Sequence, residues 1–339
     1  MSRQGAYIFG CAGLTLSEGE RRFFEKTQPW GFILFARNVD SPDQLRALTA
    51  DLRGAVGRNA PIFIDQEGGR VARMIAPHWR EWLPALDQAQ FNKRNATRAM
   101  YLRYRLIADE LYSVGIDGNC APVVDLAFAD THPVLRNRCL GEDVVHVVER
   151  AQAVAQGLLE GGVLPVVKHL PGHGRATMDS HLDLPHVATH ARELHNTDFL
   201  AFSGVSNLPL GMTAHIVFED IDPTAPATQS PIMLDLIRKD IGFDGLLMTD
   251  DLSMQALEGP LSLRARRALA AGCDLILHCN GDREEMAEIV DATGQMAEGA
   301  QARADKALIW RAVPMAVDIE ALEAEFQNLM IGETAENPR

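Results

Sequence analysis

Lysine is scarce in this sequence, and acidic residues outnumber basic ones by 46 to 32. Only five of the 339 residues are lysine, and the formal net charge at pH 7 is −14. Proteins that bind nucleic acid neutralise phosphates with clustered lysine and arginine, and anionic membrane surfaces attract polybasic segments. The charge balance therefore argues against both partners, and it predicts a small-molecule partner with no nucleic acid and no membrane.

Long apolar runs and paired cysteines are also missing. No apolar run approaches the roughly 20 residues that cross a bilayer, and no apolar leader with a cleavage site precedes the first strand-like run. The five cysteines form no Cys-x-x-Cys pair, and an odd number suits reduced thiols. These features predict a cytoplasmic protein.

Nucleotide motifs and interdomain linkers are absent too. No Gly-x-Gly-x-x-Gly follows the first apolar run and no P-loop is present, so a nucleotide-binding fold has no support. No stretch rich in serine, glycine or proline divides the chain. We therefore predict one catalytic domain over residues 1–331, followed by a polar tail over 332–339.

Short apolar runs separated by helical patterns fill the chain. Strands alternating with amphipathic helices indicate parallel β-α units, and eight such strands match an α/β fold of the (β/α)8 TIM-barrel type. A doubly wound open sheet is the alternative. The predicted strands cover residues 6–10, 31–35, 61–65, 118–122, 163–169, 210–215, 245–249 and 274–279.

Ionisable side chains follow several of these runs. Asp65 ends the third, Lys168 and His169 end the fifth, His215 ends the sixth and Asp250 ends the seventh. Barrel enzymes carry their active sites on the loops at the carboxyl ends of the strands. The pattern therefore predicts one polar site at that end of the barrel.

Two motifs suit the recognition of a polar ligand. The segment 65–73 joins Asp65 and Glu67 to Gly-Gly and two arginines, and such groups can accept and donate paired hydrogen bonds. The alternative is a turn-capping Asp65 with an arginine paired to Glu67 on the surface. Lys168 follows a buried run, which favours ligand contact over a lysine that only reaches solvent from a strand end.

Two further motifs suit catalysis. Asp179 and His181 lie two apart, where a carboxylate could orient an imidazole for acid/base work, although a surface Asp-x-His in a loop is a common alternative. Asp250 could be a nucleophile or a base. We interpret Asp251 as a helix N-cap without a catalytic role, because a helical segment could start near Leu252.

Histidines crowd the stretch from 169 to 195 and raise the question of a metal. His186 and His190 have a spacing compatible with two ligands on a helix, but no His-Glu-x-x-His motif is present and the other histidines lie in irregular loop. We therefore predict no metal and no cofactor, and we read His195 as a solvent-facing helical residue.

Together these pieces resemble the bacterial β-N-acetylglucosaminidases of glycoside hydrolase family 3, the single-domain type that recycles cell-wall sugars. The similarity runs from about residue 10 to 279. Its most specific part is Lys-His-Leu-Pro-Gly-His-Gly at 168–174 followed by Asp-Ser-His at 179–181. The other matching pieces, in family order, are 31–38, 65–73, Arg138 within Asn-Arg-Cys, 212–215 and 249–254.

The resemblance implies a (β/α)8 barrel and a retaining mechanism through a covalent glycosyl-enzyme. Asp250 would be the nucleophile and His181 the general acid/base, with Asp179 orienting it. Cys139 departs from the serine or alanine usual in the family. The residues implied to hold N-acetylglucosamine are Asp65, Arg73, Arg138, Lys168 and His169, with Arg136 as the alternative to Arg138.

The family also suggests muropeptide fragments with a 1,6-anhydro-N-acetylmuramic acid aglycone, and a monomer is the simplest expectation. Two other functions stay open at this point. A sugar-binding barrel without catalysis would bind N-acetylglucosamine without turnover, and a metal-dependent amidohydrolase on the same fold would require a metal.

Overall fold

The computed structural model describes residues 4–91, 93–178 and 183–331. Eight parallel strands close into a barrel, and we number them β1 to β8 along the chain. Their bounds are β1 Gly5–Phe9, β2 Pro29–Leu34, β3 Ile62–Ile64, β4 Gly118–Asn119, β5 Leu164–Leu170, β6 Leu210–Thr213, β7 Leu246–Asp251 and β8 Leu275–His278.

Closure is the feature that separates a barrel from an open sheet. Strand β1 pairs in parallel with β2 on one side and with β8 on the other, where Phe9 lies opposite His278. All eight predicted strands are present, and the open-sheet alternative is wrong. The fold is a single-domain (β/α)8 TIM barrel.

The helices surround this barrel. Their bounds in the described residues are α1 Glu18–Thr27, α2 Pro42–Val56, α3 Ala85–Phe91, α4 Ala96–Ser113, α5 Pro133–Arg136, α6 Val144–Glu160, α7 Ala191–Asn196, α8 Asp198–Ser203, α9 Pro231–Lys239, α10 Leu261–Ala271, α11 Arg283–Thr293, α12 Glu298–Ile309 and α13 Ile319–Ile331. Short 3-10 turns cover Ala36–Asn38, Lys93–Asn95 and Ala227–Gln229.

Helix α2 shows how local sequence sets these bounds. Proline at position 42 suits the first helical turn, where a missing N–H costs nothing. The helix buries Leu45, Leu48 and Leu52 at spacings of three and four. It stops at Gly57, whose φ of 63° lies in the left-handed region that favours glycine.

Apolar side chains form two layers of core. One layer lies between the strands and the surrounding helices, and the other fills the barrel itself with side chains such as Ile8, Phe63, Val166 and Met248. Small residues of α12 pack against the interior layer. Because the interior is filled, a ligand has to bind at an end of the barrel rather than through it.

The loops after β5 and β6 carry a small extra sheet, in which His186–Val187 pairs in parallel with Val217–Phe218. The following segment, 220–230, reads as an exposed loop from its prolines. That expectation is wrong in part, because Thr228 and Ser230 are fully buried. The Asp222 carboxylate accepts a hydrogen bond from the Ser230 hydroxyl, which lets this polar segment pack inside.

No helix in the ranges that the structure describes is long and apolar enough to cross a membrane.

Candidate active site

A pocket of about 290 Å³ opens at the carboxyl end of the barrel. Its walls come from the carboxyl-terminal parts of β2 and of β5 to β8, and from the segments that follow β2, β3, β4, β7 and β8, as expected for a barrel enzyme. The structure brings together here six of the predicted site residues, which are Asp65, Arg73, Arg138, Lys168, His169 and Asp250.

Lys168 lies at the centre of the charged side of this pocket. Its Nζ is 2.8 Å from Asp65 Oδ1 and 2.7 Å from Glu67 Oε1. Arg73 approaches Asp65 from the other side, with Nη2 3.3 Å from Oδ2. Burial alone would raise the pKa of Asp65, but the charges of Lys168 and Arg73 outweigh it and hold that pKa well below its usual range.

Glu67 belongs to this cluster although it is absent from the sugar-binding residues implied by the resemblance. Its two oxygens accept from Nε and Nη2 of Arg138 at 2.9 and 2.8 Å, a paired contact in which the side chain of Glu67 is only 2% exposed. Burial would raise the pKa of Glu67, yet Arg138 and Lys168 hold it at about 2. The surface pairing of Glu67 considered above is therefore wrong.

The backbone at Gly68 permits this arrangement. Its φ is 102°, and a Cβ at this position would lie 2.0 Å from a guanidinium nitrogen of Arg103. That guanidinium donates to the main-chain oxygen of Glu67. Glycine thus lets Arg103 hold the loop that places Glu67 against Arg138 and Lys168.

The structure also separates Arg138 from Arg136. Arg136 pairs with Glu142 at 2.6 Å and donates to the main-chain oxygen of Phe128, whereas Arg138 lines the pocket. The preference for Arg138 as the pocket residue agrees with this geometry.

His169 is held from behind by a second unassigned carboxylate. Its Nδ1 lies 2.7 Å from Asp125 Oδ2, and the Asp125 side chain is completely buried. Asp125 follows β4, and no residue directly after that strand was singled out from the sequence. The rule that site residues follow strand ends could have found it.

Asp250 closes the opposite wall at the end of β7. Its Oδ1 accepts from the main-chain N–H of Asp251 at 2.8 Å. Burial would raise the pKa of Asp250, but the nearby charges of His169 and His215 lower it overall. The shift of its pKa therefore favours the ionised form of Asp250.

Asp251 does not cap a helix. Its carboxylate accepts from the main-chain N–H and the hydroxyl of Ser253, at 3.0 and 2.7 Å, and α10 starts only at Leu261. The N-cap interpretation is therefore wrong, because an Asx-type turn precedes the helix.

Asp179 and His181 lie outside the described residues. Near them in sequence, His173 is buried, and neither of its ring nitrogens has a hydrogen-bond partner among the residues that the structure describes. Burial lowers the pKa of His173 to about 4, so its imidazole is neutral at pH 7.

The remaining histidines give no support to a helical metal pair. His186 lies in the small sheet and His190 precedes α7, so the two do not share a helix face. Within 4–91, 93–178 and 183–331, no group of three or more histidine, cysteine, aspartate or glutamate side chains is placed to hold a metal ion. His195 is exposed on α7, as predicted.

Comparison with known proteins identifies the family. The sequence model of the glycosyl hydrolase family 3 N terminal domain matches residues 12–308, most of the chain. The chain belongs to glycosyl hydrolase family 3. A β-hexosaminidase of Alkalilimnicola ehrlichii is 37% identical over 284 residues, which cover 81% of each protein. A β-hexosaminidase of Vibrio cholerae is 35% identical, covering 85% of this chain and 86% of that relative.

A solved structure agrees with these relatives. NagZ from Neisseria gonorrhoeae is 32% identical and superposes with a TM-score of 0.83, covering 97% of this chain and 96% of that one. The predicted resemblance is thus confirmed. This member of glycosyl hydrolase family 3 is a glycoside hydrolase of the bacterial β-hexosaminidase type.

Proposed function

We propose that this family 3 hydrolase is a retaining exo-β-N-acetylglucosaminidase that removes terminal non-reducing N-acetylglucosamine from muropeptides. The supporting observation is the position of Asp250, an ionised carboxylate that shares one pocket with Asp65, Lys168 and Arg138. The pocket's volume of about 290 Å³ lies at the lower end of small-molecule sites, which span roughly 300–1,000 Å³. That size suits one terminal sugar and hence exo cleavage.

The charged wall supports recognition of the sugar. Asp65 can accept from ring hydroxyls, and the guanidinium and ammonium groups can donate to them. Five residues take this binding role in the proposal, namely Asp65, Arg73, Arg138, Lys168 and His169. The carboxylates of Asp65 and Glu67 are paired with Lys168 and Arg138. Because these charges neutralise one another without a ligand, the wall is pre-organised rather than assembled on binding.

The chemistry follows the retaining scheme in two displacements. In the first, an oxygen of Asp250 attacks the anomeric carbon while His181 gives its proton to the leaving glycosidic oxygen, and the aglycone departs as an alcohol. In the second, neutral His181 takes a proton from water, whose oxygen displaces the Asp250 carboxylate. Asp179 stabilises the imidazolium that the first step needs.

The proposed sugar agrees with the ligand of one related structure. NagZ from Neisseria gonorrhoeae has been solved in complex with N-trifluoroacetyl-D-glucosamine, and it is 32% identical over 97% of this chain. We propose the corresponding substrate class here, N-acetylglucosamine linked to 1,6-anhydro-N-acetylmuramic acid with or without peptide. A monomer in the cytoplasm that acts in cell-wall recycling, without metal or cofactor, completes the proposal.

Release of 4-nitrophenol from its β-N-acetylglucosaminide tests this function. We expect turnover by wild type, loss by a factor of at least about 10³ in Asp250→Ala, as expected when a covalent nucleophile is removed, and little change in Asp244→Ala. Asp244 is an exposed carboxylate paired with Lys306, which makes it a matched control. Near-normal turnover by Asp250→Ala would exclude Asp250 as the nucleophile.

The same assay separates the alternative function. Binding of N-acetylglucosamine by wild type without any turnover would point to a sugar-binding barrel. If wild type does turn over substrate, proton NMR of the first product formed checks the mechanism, because a retaining enzyme releases the β-anomer before mutarotation.

A further inference from the structure

Asp125 is held in register beside His169 by the main chain. The segment after β4 continues along β5, where the Lys168 N–H donates to the oxygen of Pro122 at 3.1 Å and the Val124 N–H donates to the oxygen of Lys168 at 2.8 Å. These two hydrogen bonds lie next to Asp125 and His169 in the chain. The spacing between Asp125 and His169 is thus fixed by sheet-like pairing rather than by a flexible loop.

The Asp125 carboxylate is committed to the segment that carries His169. Oδ2 contacts His169 Nδ1 at 2.7 Å, while Oδ1 accepts from the main-chain N–H of His173 at 2.6 Å and of His169 at 3.4 Å. Burial would raise the pKa of Asp125, but His169 outweighs it and the pKa is lowered. An ionised carboxylate only accepts hydrogen bonds, so Nδ1 of His169 has to carry a proton.

The contact with Asp125 decides which ring nitrogen of His169 is free to face the pocket. With Nδ1 used by Asp125, Nε2 is the nitrogen left for a ligand or for Asp250, and both His169 and Asp250 line the cavity. The charge of His169 is also the strongest of the influences that lower the pKa of Asp250. Asp125, His169 and Asp250 therefore form a carboxylate–imidazole–carboxylate series.

The other imidazole that acts on Asp250 is held differently. His215 Nε2 lies 3.1 Å from the main-chain oxygen of Asp251, to which it has to donate, and Nδ1 lies 2.8 Å from the Thr228 hydroxyl. Burial lowers the pKa of His215. A hydroxyl and a carbonyl thus hold the ring of His215, whereas His169 has a carboxylate behind it.

We propose that Asp125 is a positioning residue that holds the proton on Nδ1 of His169 and fixes the ring so that Nε2 faces the sugar and the nucleophile. This inference rests on the glycosidase function proposed above. Asp125 is too deeply buried to touch substrate, so its effect passes through His169. In this arrangement a buried carboxylate accepts a hydrogen bond from one ring nitrogen of a functional histidine and thereby fixes which nitrogen carries the proton.

A double-mutant cycle provides the first test. We expect Asp125→Asn to lower kcat/KM by roughly ten- to a hundredfold, the usual contribution of a charge-assisted hydrogen bond. In a His169→Asn background the same change should cost less than about twofold, because residues that act through one contact are not additive. Equal losses in both backgrounds would overturn the proposal.

Asp274→Asn is the matched control. Asp274 is another buried carboxylate, held by Arg238 and Arg303 outside the pocket, so its loss should affect stability and leave kcat/KM within about twofold. A thermal melt of each variant identifies any that fail to fold.

The pH profile adds a readout that a purely structural Asp125 would leave unchanged. His169 is faced by Asp125, by His173 with ring centres 5.7 Å apart, and by Asp250; Arg138 contributes to the field around Asp125. Without the carboxylate, His169 supports the Asp250 anion less. The acid limb of kcat/KM should then move to higher pH in Asp125→Asn.

Nitrogen-15 NMR of ligand-free enzyme keeps this inference separate from the glycosidase function. Labelled histidine signals, with His169 assigned from the His169→Asn spectrum, should show Nδ1 protonated in wild type and no longer held protonated in Asp125→Asn. A bare Nδ1 in wild type would overturn the proposal even if every variant were inactive. Absence of wild-type turnover with Nδ1 protonated would reject the glycosidase function and leave the positioning contact intact.

Discussion

The ammonium of Lys168 lies 2.7 Å from the carboxylate of Glu67, and the side chain of each is only 2% exposed. A charge pair buried this deeply is costly to break, because removing one partner leaves the other without compensation. Glu67 also holds Arg138 through two hydrogen bonds. Its removal should therefore affect both stability and substrate binding.

The first prediction concerns the stability of Glu67→Gln. The variant should lose about 3–5 kcal/mol of unfolding free energy near pH 7, the range seen when one member of a buried pair is removed. The folded-state pKa of Glu67 is about 2, below its ordinary value of 4.5. Its stabilisation is thus complete above pH 4.5 and is lost as pH falls from 4.5 towards 2.

Denaturant titrations between pH 7 and pH 3 measure this effect. Wild type should lose stability steeply below pH 4.5, while the variant, which has no carboxyl at position 67, should lose less over the same range. Asp65 contributes in the same direction in both proteins, because its pKa is also lowered, and so the variant keeps part of the slope. Equal slopes for the two proteins would contradict the role given to Glu67.

Much of this fold could be predicted from the sequence because its signals are local. Eight apolar runs separated by amphipathic helices predicted the eight strands, and α2 has the bounds that its apolar spacing and Gly57 indicate. The turn at Asp251 was misassigned because an N-cap and an Asx turn use the same carboxylate contacts with nearby N–H groups.

The parts of the site that were missed depend on tertiary pairing. Nothing in the sequence near Glu67 indicates that Arg138, 71 positions later, binds both of its oxygens. Asp125 and His169 are likewise 44 positions apart and meet only because β4 and β5 are neighbours. Residues that line the pocket lie at or after strand ends and can be found one by one, whereas the contacts between them need the fold.

The second prediction compares two arginines two positions apart. Arg138→Lys should raise KM for the aryl β-N-acetylglucosaminide by roughly tenfold or more, because a single ammonium cannot reproduce the two hydrogen bonds to Glu67 and still face the sugar. Arg136→Lys should stay within about twofold of wild type, since Arg136 pairs with the exposed Glu142. Steady-state kinetics of both variants decide the assignment, and a larger defect in Arg136→Lys would reverse it.

The third prediction is independence from metal. The charged wall of the pocket is neutralised by its own lysine and arginines, so the proposed chemistry assigns no step to a metal. Dialysis against a chelator should leave turnover unchanged, measured with and without added divalent ions. Activity that is lost on chelation and restored by a divalent ion would revive the amidohydrolase-type alternative.

The fourth prediction tests His181 as the acid that protonates the leaving oxygen. A 4-nitrophenolate group departs without a proton, whereas the alcohol of a disaccharide requires one, so His181→Ala should lower kcat/KM much less for the aryl substrate than for N-acetylglucosaminyl-1,6-anhydro-N-acetylmuramic acid. We expect the two losses to differ by at least about tenfold, within the 10²–10⁴ range that general acid catalysis contributes.

Asp179→Asn should show the same pattern with a smaller amplitude, because it removes the support for the imidazolium but not the imidazole. His195→Ala, which alters an exposed histidine on α7, is the control and should leave both substrates unaffected. Equal losses on the two substrates would show that His181 does not act as the acid, and the proton would then have to come from another group at the mouth of the pocket.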